Sequence, residues 1–351
     1  MHFSKEIIKW YHQNKRDLPW RNNENPYKIW LSEIILQQTR VAQGLTYYLK
    51  FVENFPTIQD LAEAKEKKVL KLWQGLGYYS RARNLHFSAR QVVSEFDGKF
   101  PAKHSDILKL KGVGDYTASA ISSFCFGEAQ AVVDGNVYRV LSRYFGIEDT
   151  IDSTSGKKIF KKLATEVLDK KYPGLHNQSI MEFGALQCTP KSPECTNCPL
   201  NSSCFAFSNT KVDVLPRKNK KVKQRNRYFN YLMIKNKDAT YLEQRTGKGI
   251  WENLYQFPLI ETSQKLLIEN LIQTPEWEEL FKKTPYHIHL VHSEVKHILS
   301  HQIIHTRFIE IEVNHSFETS YQKVTLRELD QYPVPVLISN FIERYVPSVL
   351  V

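Results

Sequence analysis

Glu33 and Asp134 are two carboxylates whose surroundings are unlike those of a surface acid. Glu33 lies in YKIWLSEIILQQTRV, at helical spacing from Ile29, Trp30, Leu36 and Gln37, so it shares a face with apolar residues. A carboxylate there pairs with a base inside the core or has its proton affinity raised by desolvation. A place at the edge of the apolar stripe is the plainer alternative. Asp134 ends the run Ala131-Val132-Val133 and opens Asp134-Gly135-Asn136. Upstream, Lys111-Gly112-Val113-Gly114-Asp115 stands between two short helical patterns. Gly112 and Gly114 let the backbone turn sharply and approach a partner closely. The amides opening the next helix then offer a seat for a phosphate. A phosphate grip followed by a placed acid points to an enzyme acting on nucleic acid. A tight helix turn with an N-capping Asp accounts for the same residues more simply.

Four of the five cysteines, Cys188, Cys195, Cys198 and Cys204, are spaced C-x6-C-x2-C-x5-C. Four thiolates so close together can wrap one compact cofactor. Zinc commonly takes paired C-x2-C knuckles with a longer loop between them. With a single such pair and uneven loops, a cubane iron–sulfur cluster fits better, and zinc stays open. Cys125 stands apart on a helical pattern and reads as a small core residue.

The elements that must position these groups fall into two halves. The chain of 351 residues is long enough for two domains, and its net charge of +11 favours a polyanionic partner. No apolar run is long enough to span a bilayer, and the N-terminus lacks the features of a signal peptide, so no membrane role and a cytoplasmic setting are expected. Helices are expected over 4–14, from Pro26 onward behind a cap at Asn25, over 57–74 and over 84–96. The first half shows no strand alternation. From Pro216 to Arg227 the chain is basic and aperiodic, which reads as a linker. Beyond it the period becomes two. Tyr228–Lys235 and Thr240–Arg245 read as paired strands, 287–300 and 303–313 as further strands, and 263–273 and 334–345 as helices.

Leu18-Pro19-Trp20-Arg21, Trp30-Leu31-Ser32-Glu33-Ile34-Ile35-Leu36-Gln37-Gln38-Thr39, Gly75-Leu76-Gly77-Tyr78-Tyr79, Gly112-Val113-Gly114 and Asp134-Gly135-Asn136 follow one another in this order. With the cysteine spacing, this ordered set closely resembles the adenine DNA glycosylases of the MutY type. Gly249-Ile250-Trp251, Gln256-Phe257-Pro258 and Ser300-His301 extend the resemblance into the second half. It implies a multidomain protein: an all-α helix-hairpin-helix glycosylase domain over 1–215, a basic linker over 216–227, and an α+β Nudix-like lesion-recognition domain over 228–351. The hairpin would lie at about 107–123, and the loop 188–204 would hold one 4Fe–4S cluster on Cys188, Cys195, Cys198 and Cys204.

Such enzymes remove adenine mispaired with 8-oxoguanine (or guanine) in double-stranded DNA, and the base must leave the stack before its glycosidic bond is reached. By motif position, Gln38 and Tyr78 would intercalate near the lesion, and Arg16, Leu18, Trp20, Arg21, Leu36 and Gln178 would line the adenine pocket. Trp30, Gln37, Thr39, Gly112 and Gly114 join them as DNA- or base-contacting residues, and the protein is expected to act as a monomer. Adenine is a poor leaving group unless protonated, and cleavage leaves positive charge on the sugar. One acid must therefore protonate the base while one carboxylate stays ionised beside the sugar, as in glycosidases. Glu33 suits the first task and Asp134, at a helix start, the second. Family positions imply that Asn136 and Tyr116 orient the pair.

Two departures sharpen the reading. Endonuclease III-type relatives place a lysine just after the hairpin for strand cleavage, whereas this chain has Tyr116, and a phenol cannot form the imine. A monofunctional enzyme is expected. The alternatives are a bifunctional lyase, opposed by Tyr116, and a non-catalytic cluster-containing DNA-binding protein, opposed by Glu33 and Asp134. The second half lacks the Glu-rich metal-binding helix of Nudix hydrolases, so nucleotide hydrolysis is not expected. Its lesion-sensing loop reads Leu299-Ser300-His301 where the family usually has Phe-Ser-His, which leaves a hydroxyl and an imidazole but no stacking ring.

Overall fold

A computed structural model describes residues 2–21, 23–219, 224–282, 284–314 and 317–345. The helices of the first part are α1 (His2–Asn14), α2 (Pro26–Leu36), α3 (Val41–Asn54), α4 (Ile58–Glu63), α5 (Glu66–Trp73), α6 (Ser80–Glu95), α7 (His104–Ile107), α8 (Asp115–Phe126), α9 (Gly135–Phe145), α10 (Thr154–Val167), α11 (Pro173–Leu186) and α12 (Phe205–Ser208). Local chemistry sets their ends. Asn25 caps α2, its side chain accepting from the Tyr27 and Lys28 amides, and Pro26 takes the first turn. The expected helix over 57–74 is two helices, because the backbone turns extended at Ala64.

The chain forms two compact units, Met1–Ala64 with Asn84–Lys220, and Lys65–Arg83 with Lys221–Val351. The expected helical domain over 1–215 thus gives up 65–83 to the second unit. Polar contacts within that unit explain why. Arg83 donates to Glu252 at 2.8 Å, Asn253 donates to Glu66 at 2.7 Å, and Gln74 donates to Ser339 at 2.8 Å.

In the first unit α11 packs against α1, α8 and α9. Phe3, Ile7, Val137, Val140, Leu141, Phe160, Ile180 and Phe183 form its core. α7 and α8 make the two arms of the hairpin. Gly112 turns between them at φ +76, and a Cβ there would lie 2.6 Å from the Asn84 side chain, so the turn demands glycine.

The second unit holds β1 (Arg225–Lys235), β2 (Ala239–Gln244), β3 (Tyr255–Gln256), β4 (Leu259–Thr262), β5 (His287–Val291), β6 (Val295–Ile298), β7 (Gln302–Glu312) and β8 (Gln322–Thr325), with α13 (Ile268–Leu271), α14 (Pro275–Phe281) and α15 (Val336–Tyr345). One sheet runs β4-β1-β7-β5, with β6 also on β7, and a smaller one runs β3-β2-β8. The expected pairing of the first two strands is corrected here. Among the described residues β1 and β2 lie in different sheets, with an isolated bridge from Asn236, just past β1, to Ala239, and β1 instead runs parallel to β7 along its whole length, from Arg225 opposite Gln302 to Lys235 opposite Glu312. Its run of buried residues suits a parallel strand covered on both faces. The linker expected over 216–227 ends early, since Arg225–Arg227 already belong to β1, and its residues 220–223 lie outside the described residues. The expected strand over 287–300 is split into β5 and β6, and the expected helix over 263–273 shrinks to α13. Among the described residues no helix is long and apolar enough to cross a membrane.

Candidate active site

A cavity of about 930 Å³ opens in the first unit. The loop between α1 and α2 contributes Arg16, Leu18, Trp20 and Arg21, and the end of α2 with its exit contributes Glu33, Leu36, Gln37, Gln38 and Thr39. Gly114 and Tyr116 at the start of α8, Asp134 and Asn136 at the start of α9, and Gln178 of α11 line it too. Trp30 is a correction. It is fully buried and packs on Phe100 with ring centroids 5.5 Å apart, while its neighbour Ile29 faces the cavity. One step of about 100° round the helix separates wall from core. Gly112 lies in the hairpin turn rather than in the cavity wall.

Glu33 is 7% exposed and its Oε2 accepts a hydrogen bond from the Tyr116 hydroxyl at 2.8 Å. Burial pushes its carboxyl up to about 7, the Tyr116 bond and the Arg21 charge opposing and the Asp134 charge adding. Asp134 caps α9. Its Oδ1 accepts from the Val137 amide at 2.7 Å and its Oδ2 from Asn136 Nδ2 at 2.8 Å. Asp134 thus caps a helix and lines the cavity at once. Burial also raises the Asp134 carboxyl, while the Val137 and Asn136 hydrogen bonds and the Arg139 charge pull toward the anion. The helix start alone does not make Asp134 strongly acidic. What the arrangement offers is two buried carboxyl groups on one cavity, Glu33 bonded to a phenol and Asp134 held by a backbone amide and a carboxamide.

Arg139 holds the Asn136 carboxamide in place. Its Nη2 donates to Asn136 Oδ1 at 2.9 Å and to Gly184 O at 2.6 Å, and its Nε to Cys188 O at 2.7 Å. Gly184 lets α11 pass close to this point, since a Cβ there would sit 2.6 Å from Asn136 Cβ. Tyr11 of α1 donates to Gln178 Oε1 at 2.7 Å. Glu182 of α11 accepts from Arg16 Nε at 2.8 Å, from Arg16 Nη2 at 2.6 Å, and from both Nη atoms of Arg21 at 2.8 and 2.5 Å. Burial would raise the Glu182 carboxyl, but the bonds from Arg16 and Arg21 outweigh it and hold it at about 2.

Both expected wedge residues, Gln38 at φ +55 and Tyr78 at φ +47, adopt the left-handed backbone that non-glycine residues rarely occupy. Gln38 is exposed in the first unit. Tyr78 is 47% exposed in the second, where its hydroxyl meets Ser300 Oγ at 2.8 Å. His301 is exposed beside Ser300. Leu299 is half-buried rather than a core residue, its carbonyl accepting from Gln224 at 2.7 Å.

Cys188, Cys195, Cys198 and Cys204 line one cavity together with Arg143, Phe183 and Leu200. Arg143 Nη1 donates to Cys188 Sγ at 3.5 Å. Among the described residues no three His, Cys, Asp or Glu side chains are grouped as around a single metal ion. Four thiols round one cavity suit a larger body such as a cubane. Burial pushes the Cys198 thiol up to about 11. The donor set fits the cluster. Cys125 is separate, half-buried on α8, with its thiol pushed up to about 12 by burial.

Residues 31–167 match the HhH-GPD superfamily base excision DNA repair proteins, and residues 230–344 match the NUDIX domain. An adenine DNA glycosylase of Buchnera aphidicola subsp. Schizaphis graminum is 38% identical over 327 residues, covering 91% of this chain and 90% of its own. This chain belongs to the adenine DNA glycosylases. The human adenine DNA glycosylase is 45% identical over 213 residues, covering 58% of this chain and 39% of its own. Among solved structures, a thermostable thymine-DNA glycosylase aligns with a TM-score of 0.55 at 30% identity, over 59% of this chain and 96% of that one. An endonuclease III solved with DNA aligns with a TM-score of 0.52 at 21% identity, over 60% and 95%, and so shares the fold. In this adenine DNA glycosylase a helix-hairpin-helix domain is followed by a strand-rich, Nudix-like one.

Sequence reasoning missed Glu182, Tyr11, Arg139 and Gly184. Glu182 carried a usable signal: like Glu33, it is an acid inside an otherwise apolar helical run, Ile180-Met181-Glu182-Phe183. Nothing local marks the other three.

Proposed function

We propose that this chain hydrolyses the N-glycosidic bond of adenine mispaired with 8-oxoguanine, or with guanine, in double-stranded DNA. The observation that carries the reading is Glu33, buried with its carboxyl raised to about 7, in the same cavity as the amide-held Asp134. A flipped adenine enters among Arg16, Leu18, Trp20, Arg21, Leu36 and Gln178. Protonated Glu33 gives its proton to a ring nitrogen of the base, and the bond from that base to the sugar breaks with its electron pair going to adenine. Asp134 stabilises the positive charge left on the sugar, or attacks it to form a transient ester. Water then adds to the sugar carbon and returns a proton to Glu33. Tyr116 keeps Glu33 aimed, and Asn136 does the same for Asp134.

Gln38 and Tyr78, with Ser300 and His301, are the residues we assign to the opened duplex and to the base opposite adenine. The exposed Tyr78 ring and its hydrogen bond to Ser300 support that assignment. Cys188, Cys195, Cys198 and Cys204 would hold one 4Fe–4S cluster. When bound it supplies four iron–thiolate bonds that tie 188–204 into one loop. An iron–sulfur absorption band in anaerobically purified protein checks this part, and a zinc-only preparation opposes it.

The test is a duplex carrying adenine opposite 8-oxoguanine, incubated with the protein and resolved with and without alkali. Strand cleavage at adenine only after alkali is expected. Cleavage without alkali, together with borohydride trapping of an imine, would indicate a lyase. Binding without cleavage would indicate a non-catalytic DNA-binding protein.

A further inference from the structure

Glu182 is 1% exposed in its side chain, yet it touches neither Glu33 nor Asp134 by hydrogen bond. Its carboxylate is spent on two cavity-lining cations. Arg16 contributes its backbone amide at 2.9 Å as well as its guanidinium, and Arg21 Nη1 also donates to Arg16 O at 2.9 Å. The three residues form a closed unit in which one buried anion faces two guanidiniums, leaving a single net positive charge on that wall. We propose that Glu182 is a positioning residue for the reaction, fixing Arg16 and Arg21 as one wall of the base pocket and keeping Arg21 from pairing with Glu33. This rests on the adenine-releasing activity proposed above.

The groups facing Glu33 are Tyr116 and Cys125 from α8, Asp134 at the start of α9 and Arg21 from the loop before α2. Those facing Glu182 are Arg16, Arg21 and the Tyr11 hydroxyl of α1. Arg21 is the one cation common to both sets, and its side chain is only 12% exposed. Removing the Glu182 charge leaves a buried guanidinium without its counter-ion, which is strongly unfavourable. The carboxylates on the same cavity are where it can turn. Paired with Arg21, Glu33 holds its anion and has no proton to give. Glu182 thus keeps the proton donor working from a distance, through an arginine.

The experiment is single-turnover adenine release from a duplex with adenine opposite 8-oxoguanine, followed across neutral pH. Wild type, Glu182→Gln, Glu182→Asp and Glu182→Gln/Arg21→Gln are compared. In Glu182→Gln the basic limb is expected to move to lower pH by about one unit, the effect of a cation newly paired with a carboxylic acid. Glu182→Asp keeps the charge and should keep the limb while losing rate. The double variant removes the released cation and should bring the limb back toward the wild-type position. A Glu182→Gln protein that is slower at every pH with its limb unmoved overturns the proposal and leaves Glu182 a packing residue. Should Glu182→Gln not fold, Arg21→Gln alone serves: with Arg21 held on Glu182 the limb must rise by well under about one unit, and a rise of about one unit or more would show Arg21 already paired with Glu33 and overturn the proposal. A wild type that releases no adenine refutes the underlying activity before any variant is compared.

Discussion

The Tyr116 hydroxyl donates to Glu33 Oε2 at 2.8 Å, joining the first turn of α8 to the third turn of α2 across the cavity. That bond favours the Glu33 carboxylate, while burial favours the acid more strongly. The position after the hairpin, where a lyase is expected to carry lysine, is here a phenol hydrogen-bonded to Glu33.

Removing that phenol has a defined sign. Tyr116→Phe takes away a donor to the anion, so the Glu33 carboxyl rises further above about 7. The basic limb of adenine release should move up by about one unit, the worth of one hydrogen bond to a charged group. The shift is opposite to that expected for Glu182→Gln. A limb that stays put in Tyr116→Phe would mean that Glu33 is not the group it reports.

Glu33 also costs the protein stability above neutral pH. Its folded-state value of about 7 lies above the ordinary 4.5, so its contribution is fully present below about 4.5 and is lost as pH rises through about 7. The difference corresponds to about 3 kcal/mol when the group is fully ionised. Glu33→Gln should therefore melt at a higher temperature than wild type in mildly alkaline buffer and at nearly the same temperature in acid. Equal melting temperatures at both pH values would contradict a buried, neutral Glu33.

Gly184 sets how closely α11 approaches Asn136. A methyl group there meets Asn136 Cβ at 2.6 Å and Asn136 O at 2.9 Å, both part of the backbone-anchored start of α9. Gly184→Ala should destabilise by about 1–3 kcal/mol, as overpacking does. It should also slow adenine release by displacing the amide that holds Asp134. A variant with wild-type melting and wild-type rate would show that the contact relaxes freely.

Legibility followed sequence distance. Glu33 and Asp134 were readable because each is out of place among its own neighbours, and the four thiols because they fall within one short segment. The clamp on Arg16 and Arg21 was not, because Glu182 lies 166 and 161 residues away from them. α11 is buried on nearly all sides, so no amphipathic stripe marks which residues face the cavity. The parallel pairing of β1 with β7 was hidden for the same reason: a short loop after β1 resembles a hairpin, while its partner lies 77 residues on. Trp30 was misplaced by a single step round α2, because a motif names a segment without naming its faces.

The hydroxyl pair Tyr78 and Ser300 ties the residue assigned to intercalation to the loop assigned to the opposite base. Ser300→Ala with His301→Ala should reduce the preference for adenine opposite 8-oxoguanine over adenine opposite guanine by about tenfold, the worth of one or two hydrogen bonds. The measurement is the ratio of single-turnover rates on the two duplexes. An unchanged ratio would remove these residues from lesion reading, leaving the chemistry at Glu33 untouched.

The central claim is that a buried, protonated Glu33 delivers the proton that releases adenine. Its most direct test is chromatographic detection of free adenine from an adenine:8-oxoguanine duplex, with wild type and Glu33→Gln side by side. The amide keeps the shape of the site and its hydrogen bond to Tyr116 but carries no transferable proton. Wild type should release adenine, and Glu33→Gln should bind the same duplex while its release falls by at least about a hundredfold. Release by Glu33→Gln at the wild-type rate would contradict the account.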